Sequence, residues 1–280
     1  MTSTPVLVTE DTFHATYLVH RWRAEVGTSV ALRAPAPDPD LAAARARFHT
    51  EFAGRTELPA SAAAEFDRLY PGSGEADRTM ISLFGVPERP AHAGPDLTHL
   101  GRAINGERAR RWLTGLTGAY VHVFLDRILA PWWIRSVDGR ILNAHSAILP
   151  VARGTFAVEQ VAAANDIERF ALSTGATAHF VDDGVDTGAV IEARPLVDPW
   201  ACASIWEVKC RCFATAFDLL VESAHRVRAT GTAAANPVPQ EGRPEWNEFK
   251  RGDFTAERQR AAEAGFLRMR HEHAGRRITA

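Results

Sequence analysis

The architecture of this chain follows from two motifs, which read Arg140-Ile141-Leu142-Asn143-Ala144-His145-Ser146-Ala147-Ile148-Leu149-Pro150 and, after a spacer, Gly175-Ala176-Thr177-Ala178-His179-Phe180-Val181-Asp182-Asp183-Gly184-Val185-Asp186-Thr187-Gly188. Asn143 and His145 are two residues apart, so on a strand both side chains point to the same face. Thr177, His179 and Val181 alternate in the same way before the run breaks into an acidic loop bounded by glycines. Polar side chains at the ends of neighbouring strands are where α/β proteins place their chemistry.

Short apolar runs alternate with segments of helical periodicity along the rest of the chain. The predicted strands outside the two motifs are residues 5–8, 28–33, 79–86, 119–125 and 190–196. The predicted helices are residues 13–26, 40–52, 96–116, 154–170, 198–228 and 255–271. The order strand, helix, strand is typical of parallel βαβ units, so we expect a doubly wound α/β fold with a mostly parallel sheet and a C-terminal helical appendage.

The composition is that of a globular protein without a strong charge bias. The 280 residues include 46% hydrophobic and 24% charged residues, and the formal net charge is −2. No basic field indicates nucleic-acid binding, and no apolar run approaches the roughly 20 residues of a membrane span. The N-terminus lacks the basic-then-apolar pattern of a signal peptide, so we expect a cytoplasmic protein with neither nucleic acid nor membrane as a partner. A homo-oligomer remains open.

The C-terminal third contains the cysteines and a change in composition. Cys202, Cys210 and Cys212 fall within one predicted helix, and we interpret them as reduced core thiols rather than as metal ligands or a disulfide. Residues 231–244 are rich in Ala, Pro and Gly and predict a linker, which divides the chain into a main domain of residues 1–230 and a linker with appendage of residues 231–280. Three aromatic residues indicate that the appendage docks, namely Trp246, Phe249 and Phe254.

The two motifs together resemble those of the folate-dependent formyltransferases, a family that includes glycinamide ribonucleotide, methionyl-tRNA, nucleotide-sugar and hydroxyornithine formyltransferases and the formyltetrahydrofolate hydrolases. The family pattern is Asn-x-His-Pro-Ser-Leu-Leu-Pro, then Gly-x-x-x-His-x-Val and an acidic loop Asp-x-x-Asp-x-Gly. Ser146 and Ala147 stand where the family usually has proline and serine. The resemblance implies a formyltransferase-like Rossmann variant, an enzyme whose co-substrate is 10-formyltetrahydrofolate. The matching residues are Asn143, His145, Leu149, Pro150, Gly175, His179, Val181, Asp183, Asp186 and Gly188.

Formyl transfer is acyl transfer, in which an amine attacks the formyl carbon and a tetrahedral oxyanion forms. The amide of Asn143 and a protonated His145 are donors suited to that oxyanion, and Asp186 is a carboxylate suited to take the proton from the nitrogen. We expect Asp186 to raise the pKa of His145 and so to keep it cationic. The resemblance implies the same three catalytic roles.

The resemblance also implies a folate site. It places the backbone of Arg127, Ile128 and Leu129 along the pterin pocket, although Asp126 replaces a residue that is usually apolar in the family. It places a second group of residues close to the folate, namely His179, Val181 and Asp183.

Three other interpretations are compatible with parts of the sequence. His145, His179 and the acidic loop could ligate zinc or iron, but we predict no metal because the ordered Asn-His-Asp set is explained by formyl transfer. A folate-binding or regulatory module without catalysis would not need all three of those residues. Hydrolysis of formyltetrahydrofolate is a third, since residues 175–181 closely resemble the hydrolases. Hydrolases usually carry a small regulatory domain before the first strand, which here begins near Pro5, so we favour transfer.

The turn after the first strand bears on the formyl acceptor. In the purine-pathway members of the family this turn is glycine-rich, and its backbone N–H groups hold a substrate phosphate. Here it reads Thr9-Glu10-Asp11-Thr12-Phe13-His14, without glycine, and Glu10 and Asp11 would repel a phosphate and suit a cationic amine. We therefore expect a small amine or hydroxylamine as acceptor, such as an ornithine-derived precursor of a siderophore or another secondary metabolite. The long stretch of residues 35–95 is a candidate for its recognition.

Overall fold

The computed structural model describes residues 3–241 and 248–279, with side chains described up to residue 276. The strands of the described chain are β1 Pro5–Thr9, β2 Val30–Leu32, β3 Leu97–His99, β4 Tyr120–Val123, β5 Ile141–His145, β6 Gly175–Phe180 and β7 Val190–Pro195. The α-helices are α1 Phe13–Glu25, α2 Pro39–Phe52, α3 Ala60–Leu69, α4 Glu75–Phe84, α5 Glu107–Thr114, α6 Pro131–Ser136, α7 Ala157–Ala163, α8 Ile167–Ser173, α9 Ile205–Thr230 and α10 Ala256–Thr279. Short 3₁₀ turns occur at Pro199–Ala201 and Arg251–Asp253.

The strands form a seven-stranded sheet in the order β3-β2-β1-β4-β5-β6-β7. Parallel pairing joins β1 to both β2 and β4, β2 to β3, and β4 to β5, whereas β7 runs antiparallel to β6. The predicted doubly wound, mostly parallel sheet is thereby confirmed. The chain goes from β1 to β2 and β3 and returns on the other side at β4, so β1 and β4 flank the point where the strand order reverses. Ligands of such sheets bind beyond the carboxyl ends of the strands at that point.

The chain divides into two compact units, residues 1–143 with 220–233 and residues 144–219 with 234–280. In the first unit, helices α2, α3 and α4 lie between β2 and β3 in the sequence and pack an aromatic core around Phe13 of α1. The Phe13 ring meets those of Phe66 and Tyr70 edge-on, with centroids 4.8 and 5.2 Å away. Helix α2 begins where it does because the Asp38 carboxylate accepts the backbone N–H of Asp40 and Pro39 occupies the first turn.

The second unit has its own core, to which the C-terminal helix α10 contributes. Helix α10 packs on α7 and approaches it closely at Gly265, where a Cβ would lie 2.0 Å from the carbonyl oxygen of Ala162. Phe249 and Phe254 pack against this core as predicted, whereas Trp246 and residues 242–244 of the predicted linker lie outside the described residues. The division into residues 1–230 and 231–280 stays a prediction. The buried members of the core include Val158, Val161, Phe170, Ile205, Val208, Cys212, Ala262, Phe266 and Met269.

Several predicted elements are wrong in type or extent. Residues 79–86 were expected as a strand but belong mostly to α4. Met80 and Ile81 form the buried face of this helix, and the backbone N–H of Gly74 donates to the Asp77 carboxylate at its first turn. A short apolar run does not distinguish a strand from a helix by periodicity alone. The predicted helix 96–116 is instead β3 followed by α5, and the predicted helix 154–170 is divided between α7 and α8.

The predicted helix at residues 198–228 also begins later than expected. Asp198 caps the short turn Pro199–Ala201 through the backbone N–H of Trp200, and α9 starts only at Ile205. Cys202 therefore lies before the helix that holds Cys210 and Cys212, although all three thiols are buried and free. Among the described helices, none is both long and apolar enough to span a bilayer.

Candidate active site

His145 occupies the last position of β5 and is 9% exposed. Its Nε2 lies 2.9 Å from the carbonyl oxygen of Ala152, which can only accept, so the Nε2 carries a proton. The other ring nitrogen, Nδ1, faces the Oδ2 of Asp186 at 3.5 Å. Asn143 lies two residues earlier on the same strand, half-buried, with its side chain on the same face as that of His145.

His179 lies near the end of β6 and is 2% exposed. Its Nδ1 donates to the carbonyl oxygen of Phe180 at 2.8 Å, and its Nε2 lies 3.5 Å from the Oδ1 of Asp186. The Asp186 carboxylate therefore lies between two imidazoles, each of which uses its remaining ring nitrogen to bind a backbone carbonyl. The sequence assigned His179 to the folate; the structure brings it to the predicted base.

Asp186 lies on the loop between β6 and β7, in a left-handed backbone conformation with φ of 51°. The backbone N–H of Gly154 donates to its Oδ2 at 3.0 Å. The loop's turn is made by a different aspartate, Asp182, whose Oδ1 accepts from the backbone N–H of Gly184 and from the hydroxyl of Thr187. The structure thus separates the turn-forming carboxylate from the one that meets the histidines.

The pKa shifts in this cluster follow from burial and from mutual charge. Burial alone would raise the pKa of Asp186, but His145, His179 and the Gly154 N–H outweigh it and hold that pKa well below its usual range. For His145, burial lowers the pKa, and the opposing effect of Asp186 does not restore it, while His179 and Lys209 lower it further. The expectation that Asp186 keeps His145 cationic is therefore wrong in its net direction, because the cost of burying the imidazolium is larger than the attraction.

Thr177 connects the second motif to the first. Its hydroxyl donates to the carbonyl oxygen of Ala147 at 2.9 Å and accepts the backbone N–H of Leu149 at 3.0 Å. These bonds fix the turn that follows His145, including the position where Ala147 replaces the usual serine. Val181 is half-buried at the start of the acidic loop, and Asp183 is exposed on it.

In the first unit, Glu10 and Asp11 follow β1 and both are paired with arginine. Arg33 binds Glu10 at 2.6 Å and Asp126 at 3.0 Å. Arg45 of α2 binds Asp11 at 2.7 Å, and the Nδ1 of His92 lies 3.4 Å from the same carboxylate. Each carboxylate therefore already has an arginine partner within the chain, whereas the expectation of a cation-binding turn considered only their negative charges.

The two carboxyl groups of that turn differ in protonation. Burial and the neighbouring Asp126 raise the pKa of Glu10 to about 7, and Arg33 only partly offsets them. Burial would also raise the pKa of Asp11, but His92 and Arg45 reverse it, so the pKa of Asp11 lies below its usual value. Near neutral pH, Asp11 is therefore ionised while Glu10 is partly protonated.

The strip assigned to the pterin follows β4 and is braced by a residue that the sequence did not single out. The Nδ2 of Asn105 donates to the carbonyl oxygen of Ile128 at 3.0 Å, and its Oδ1 accepts the backbone N–H of Ala130 at 2.8 Å. Leu129 is buried, whereas Ile128 is 67% exposed. Asn105 thus fixes the backbone on both sides of Leu129.

Comparison with known proteins matches the part of the sequence that contains both motifs. The model of the family described as formyl transferase matches residues 117–199. Phosphoribosylglycinamide formyltransferase of Mycobacterium tuberculosis is 40% identical over 163 residues, which cover 50% of this chain and 74% of that protein. The chain belongs to the formyl transferase family.

Further comparisons extend the likeness over different lengths. The trifunctional purine biosynthetic protein adenosine-3 of Chironomus tentans is 40% identical over 65 residues, and the chain covers 4% of its length. A sugar N-formyltransferase from Shewanella sp FDAARGOS_354 is 15% identical with a TM-score of 0.51, covering 95% of this chain and 87% of that one. A 4-N formyltransferase from Francisella tularensis is 12% identical with a TM-score of 0.52, covering 96% and 88%. At these identities the structures support the fold, and the relationship in sequence makes the chain an enzyme of this family.

One charged pair of this formyl transferase lies beside Ser146, the residue that follows His145, and no sequence pattern indicated it. The Lys209 Nζ of α9 lies 3.2 Å from the Glu159 Oε2 of α7 and 3.3 Å from the Ser146 hydroxyl. Glu159 is 1% exposed and Lys209 6%. Helical residues 50 positions apart carry no pattern that announces their contact, so sequence reasoning had no means of pairing them. Within the described residues, no group of three or more His, Cys, Asp or Glu side chains is placed to hold a metal ion.

Proposed function

We propose that this enzyme transfers a formyl group from 10-formyltetrahydrofolate to the nitrogen of a small amine or hydroxylamine, with Asn143, His145 and Asp186 as catalytic residues. The observation that carries the proposal is the largely enclosed carboxylate of Asp186, whose side chain is 14% exposed and which faces a ring nitrogen of His145 and one of His179 at 3.5 Å each. This arrangement provides a proton acceptor beside the strand that bears the family's asparagine and histidine. The metal-binding alternative lacks a supporting donor set within the described chain.

The proposed reaction needs one proton to be moved. The acceptor nitrogen forms a bond to the formyl carbon, the bond from that carbon to the folate nitrogen breaks, and the proton of the acceptor nitrogen is transferred through the enzyme to the leaving nitrogen. Asp186 takes that proton. The two ring nitrogens that face Asp186 can share it, because the opposite nitrogen of each ring already donates to a carbonyl oxygen.

The charge on the formyl oxygen is the second requirement. The Asn143 amide is the neutral donor proposed for it. Burial lowers the pKa of His145 and so favours its neutral ring, and in the proposed mechanism its positive charge arises when the proton arrives at Nδ1. The cation then forms while the oxyanion is present, which favours the transition state over the ground state.

The folate donor is assigned to the strip Arg127, Ile128 and Leu129 and to the group His179, Val181 and Asp183. Support for the strip comes from its place beyond the carboxyl end of β4, beside the reversal of strand order, and from the bracing by Asn105. A backbone held in this way presents its peptide groups in a fixed geometry, as recognition of a planar heterocycle requires. His179 belongs to the residues assigned to the folate, and its ring also faces Asp186, one of the residues proposed as catalytic.

The acceptor is assigned to the turn after β1, with Glu10 and Asp11. Because an arginine pairs with each of these carboxylates, the turn carries mixed charge rather than negative charge alone. Such a turn disfavours a phosphate dianion, because it has no glycine and two carboxyl groups, and it accommodates an acceptor with both an ammonium and a carboxylate group. An ornithine-derived hydroxylamine has that chemistry, and we propose this class rather than a phosphoribosyl amine.

The test is a panel of amines with 10-formyltetrahydrofolate and the purified full chain, following tetrahydrofolate and the formylated product. The panel contains an N-hydroxylated amino acid, its parent amine, glycinamide ribonucleotide and a reaction without amine. We expect product only with the first two, and a loss of about 100-fold or more in kcat/KM for Asp186→Asn and for His145→Ala. Efficient formylation of glycinamide ribonucleotide would refute the acceptor class, and equal tetrahydrofolate release without amine would establish hydrolysis instead.

A further inference from the structure

The loop that carries Asp186 is held partly by its own residues, through the turn at Asp182, and partly by residues outside the loop. Asp186 has φ of 51°, a left-handed conformation that costs free energy for a residue with a side chain. The nearby Gly188 lies so close to β6 that a Cβ there would be 1.8 Å from the carbonyl oxygen of Phe180.

Gln240 binds this loop from a distant part of the chain. Its Nε2 donates to the carbonyl oxygen of Asp186 at 3.0 Å and to that of Gly188 at 2.7 Å. An amide nitrogen has two hydrogens, so both are used on the loop. The Oε1 of the same side chain accepts from the Nη2 of Arg153 at 3.4 Å, which sets the orientation of the amide.

The backbone around Gln240 is itself fixed to the sheet. Val238 and Val190 exchange two backbone hydrogen bonds of 2.7 and 2.8 Å, which attach the segment to the first residue of the edge strand β7. Gln240 follows two residues later, so its side chain reaches the loop from a position defined by strand pairing rather than from a free linker.

A second C-terminal residue fixes the other side of Asp186. The carbonyl oxygen of Phe249 accepts the backbone N–H of Thr155 at 2.9 Å, and the Phe249 N–H donates to the carbonyl of Arg153 at 3.0 Å. These bonds enclose Gly154, whose own N–H donates to the Asp186 carboxylate. The carboxylate and the backbone carbonyl of Asp186 are thus held from two points of the same C-terminal segment.

We infer that Gln240 is a positioning residue that holds the Asp186 loop in the conformation needed for proton transfer, and that the C-terminal segment is in this way a part of the active site. The inference rests on the proposed role of Asp186. Gln240 makes its two bonds to backbone carbonyls, so it needs no contact with substrate to affect the rate. A displacement of a catalytic group by about 1 Å can cost about 100-fold in rate.

The variant that isolates this role is Gln240→Met, which keeps the length of the side chain and removes both donors. Gln240→Glu places a carboxylate against the two carbonyls and is expected to behave at least as poorly. Glu241→Ala is the matched control, because Glu241 is the exposed neighbour on the same backbone. Each variant is assayed as the full chain for kcat, for the KM toward the folate donor, and for the titration of the His145 ring by NMR.

We expect Gln240→Met to lower kcat by about 10-fold or more with KM for the folate changed less than about twofold, since only the reacting geometry is altered. The pKa of His145 should fall further, because Asp186 is the group that raises it. Glu241→Ala should match the wild type. If Gln240→Met does not fold, Arg153→Met replaces it in the same assays. That variant removes the donor to the Gln240 oxygen, so we expect a smaller loss of kcat.

Two results would overturn the inference. One is wild-type kcat together with an unchanged His145 titration in Gln240→Met, or in Arg153→Met where that variant replaces it. The other is a loss confined to KM. A different result, in which the wild type transfers no formyl group but the His145 titration still shifts in Gln240→Met, would refute the proposed function and leave the positioning role supported.

Discussion

Removing Lys209 should destabilise the protein strongly and alter His145 at the same time. Its Nζ lies 3.2 Å from the Glu159 carboxylate, and both side chains are almost fully buried. With an effective dielectric constant of 20, two unit charges at that distance attract by about 5 kcal/mol. Lys209→Met keeps the apolar stem of the side chain and removes the charge together with the contact to the Ser146 hydroxyl.

The expected loss is less than the whole attraction, because the desolvation of the two buried charges already offsets part of it. Breaking one partner of a buried pair typically costs about 3–5 kcal/mol. For a chain of this size that corresponds to a fall in Tm of roughly 6–20 °C, measured by scanning calorimetry. The pKa of His145 should rise in the same variant, because Lys209 is one of the charges that lower it.

The control is the double variant Lys209→Met with Glu159→Leu, which removes both charges. A buried pair replaced by apolar groups of similar size is often close to neutral, so the double variant should recover most of the lost Tm. A Tm of Lys209→Met within about 2 °C of the wild type would contradict a stabilising pair, and so would a double variant that melts no higher than Lys209→Met.

Three further predictions concern burial and close packing. Burial lowers the pKa of His122 to about 3, so between about pH 3 and pH 6.5 the unfolded chain binds a proton at this residue while the folded chain does not. The free energy of unfolding should therefore fall by roughly 1.4 kcal/mol per pH unit as the pH drops toward 3. His122→Leu should flatten that pH dependence, as measured by urea unfolding at each pH. Gly265→Ala should lower stability by about 1–3 kcal/mol because its Cβ meets the Ala162 carbonyl, whereas Gly275→Ala on the same helix, with open space at its Cβ, should not destabilise; equal melting of the two variants would contradict the close approach. Burial raises the pKa of Cys212 to about 12, so the native protein should not react at this thiol at pH 7, and a thiol reagent should label it only after unfolding.

The placement of the three residues proposed as catalytic was predictable because it depends on short spacings and on strand ends. Asn143 and His145 share a strand face by alternation, and the structure keeps them on β5. Asp186 reaches His145 because the loop that carries it follows directly on β6. The motifs contain the positions proposed for the reaction, and parallel strands bring their carboxyl ends to one edge of the sheet.

The supporting part of the site could not be predicted, because its contacts join residues without a shared pattern. Gln240 binds the carbonyl of Asp186 across 54 positions, and it lies in a stretch whose composition is typical of a linker. The same holds for Arg33, whose contacts with Glu10 and Asp126 add a positive charge to the turn that the sequence presented as acidic. The strand predicted at residues 79–86 failed for a related reason, since its neighbours in space decide which face is buried.

The low pKa of Asp186 links the geometry of the site to the chemistry of its acceptor. A carboxylate held between two imidazoles is a weak base, so it does not remove a proton from a protonated alkylamine, whose pKa lies near the value of about 10.4 found for lysine. It can accept one from a nitrogen that has already attacked, because bond formation makes that nitrogen acidic. In the proposed mechanism, the acceptor nitrogen must therefore attack in its uncharged form. A hydroxylamine meets this condition near neutral pH more readily than an alkylamine, since its oxygen withdraws electron density from the nitrogen. The environment of Asp186 is thus compatible with the acceptor class proposed from the mixed-charge turn after β1.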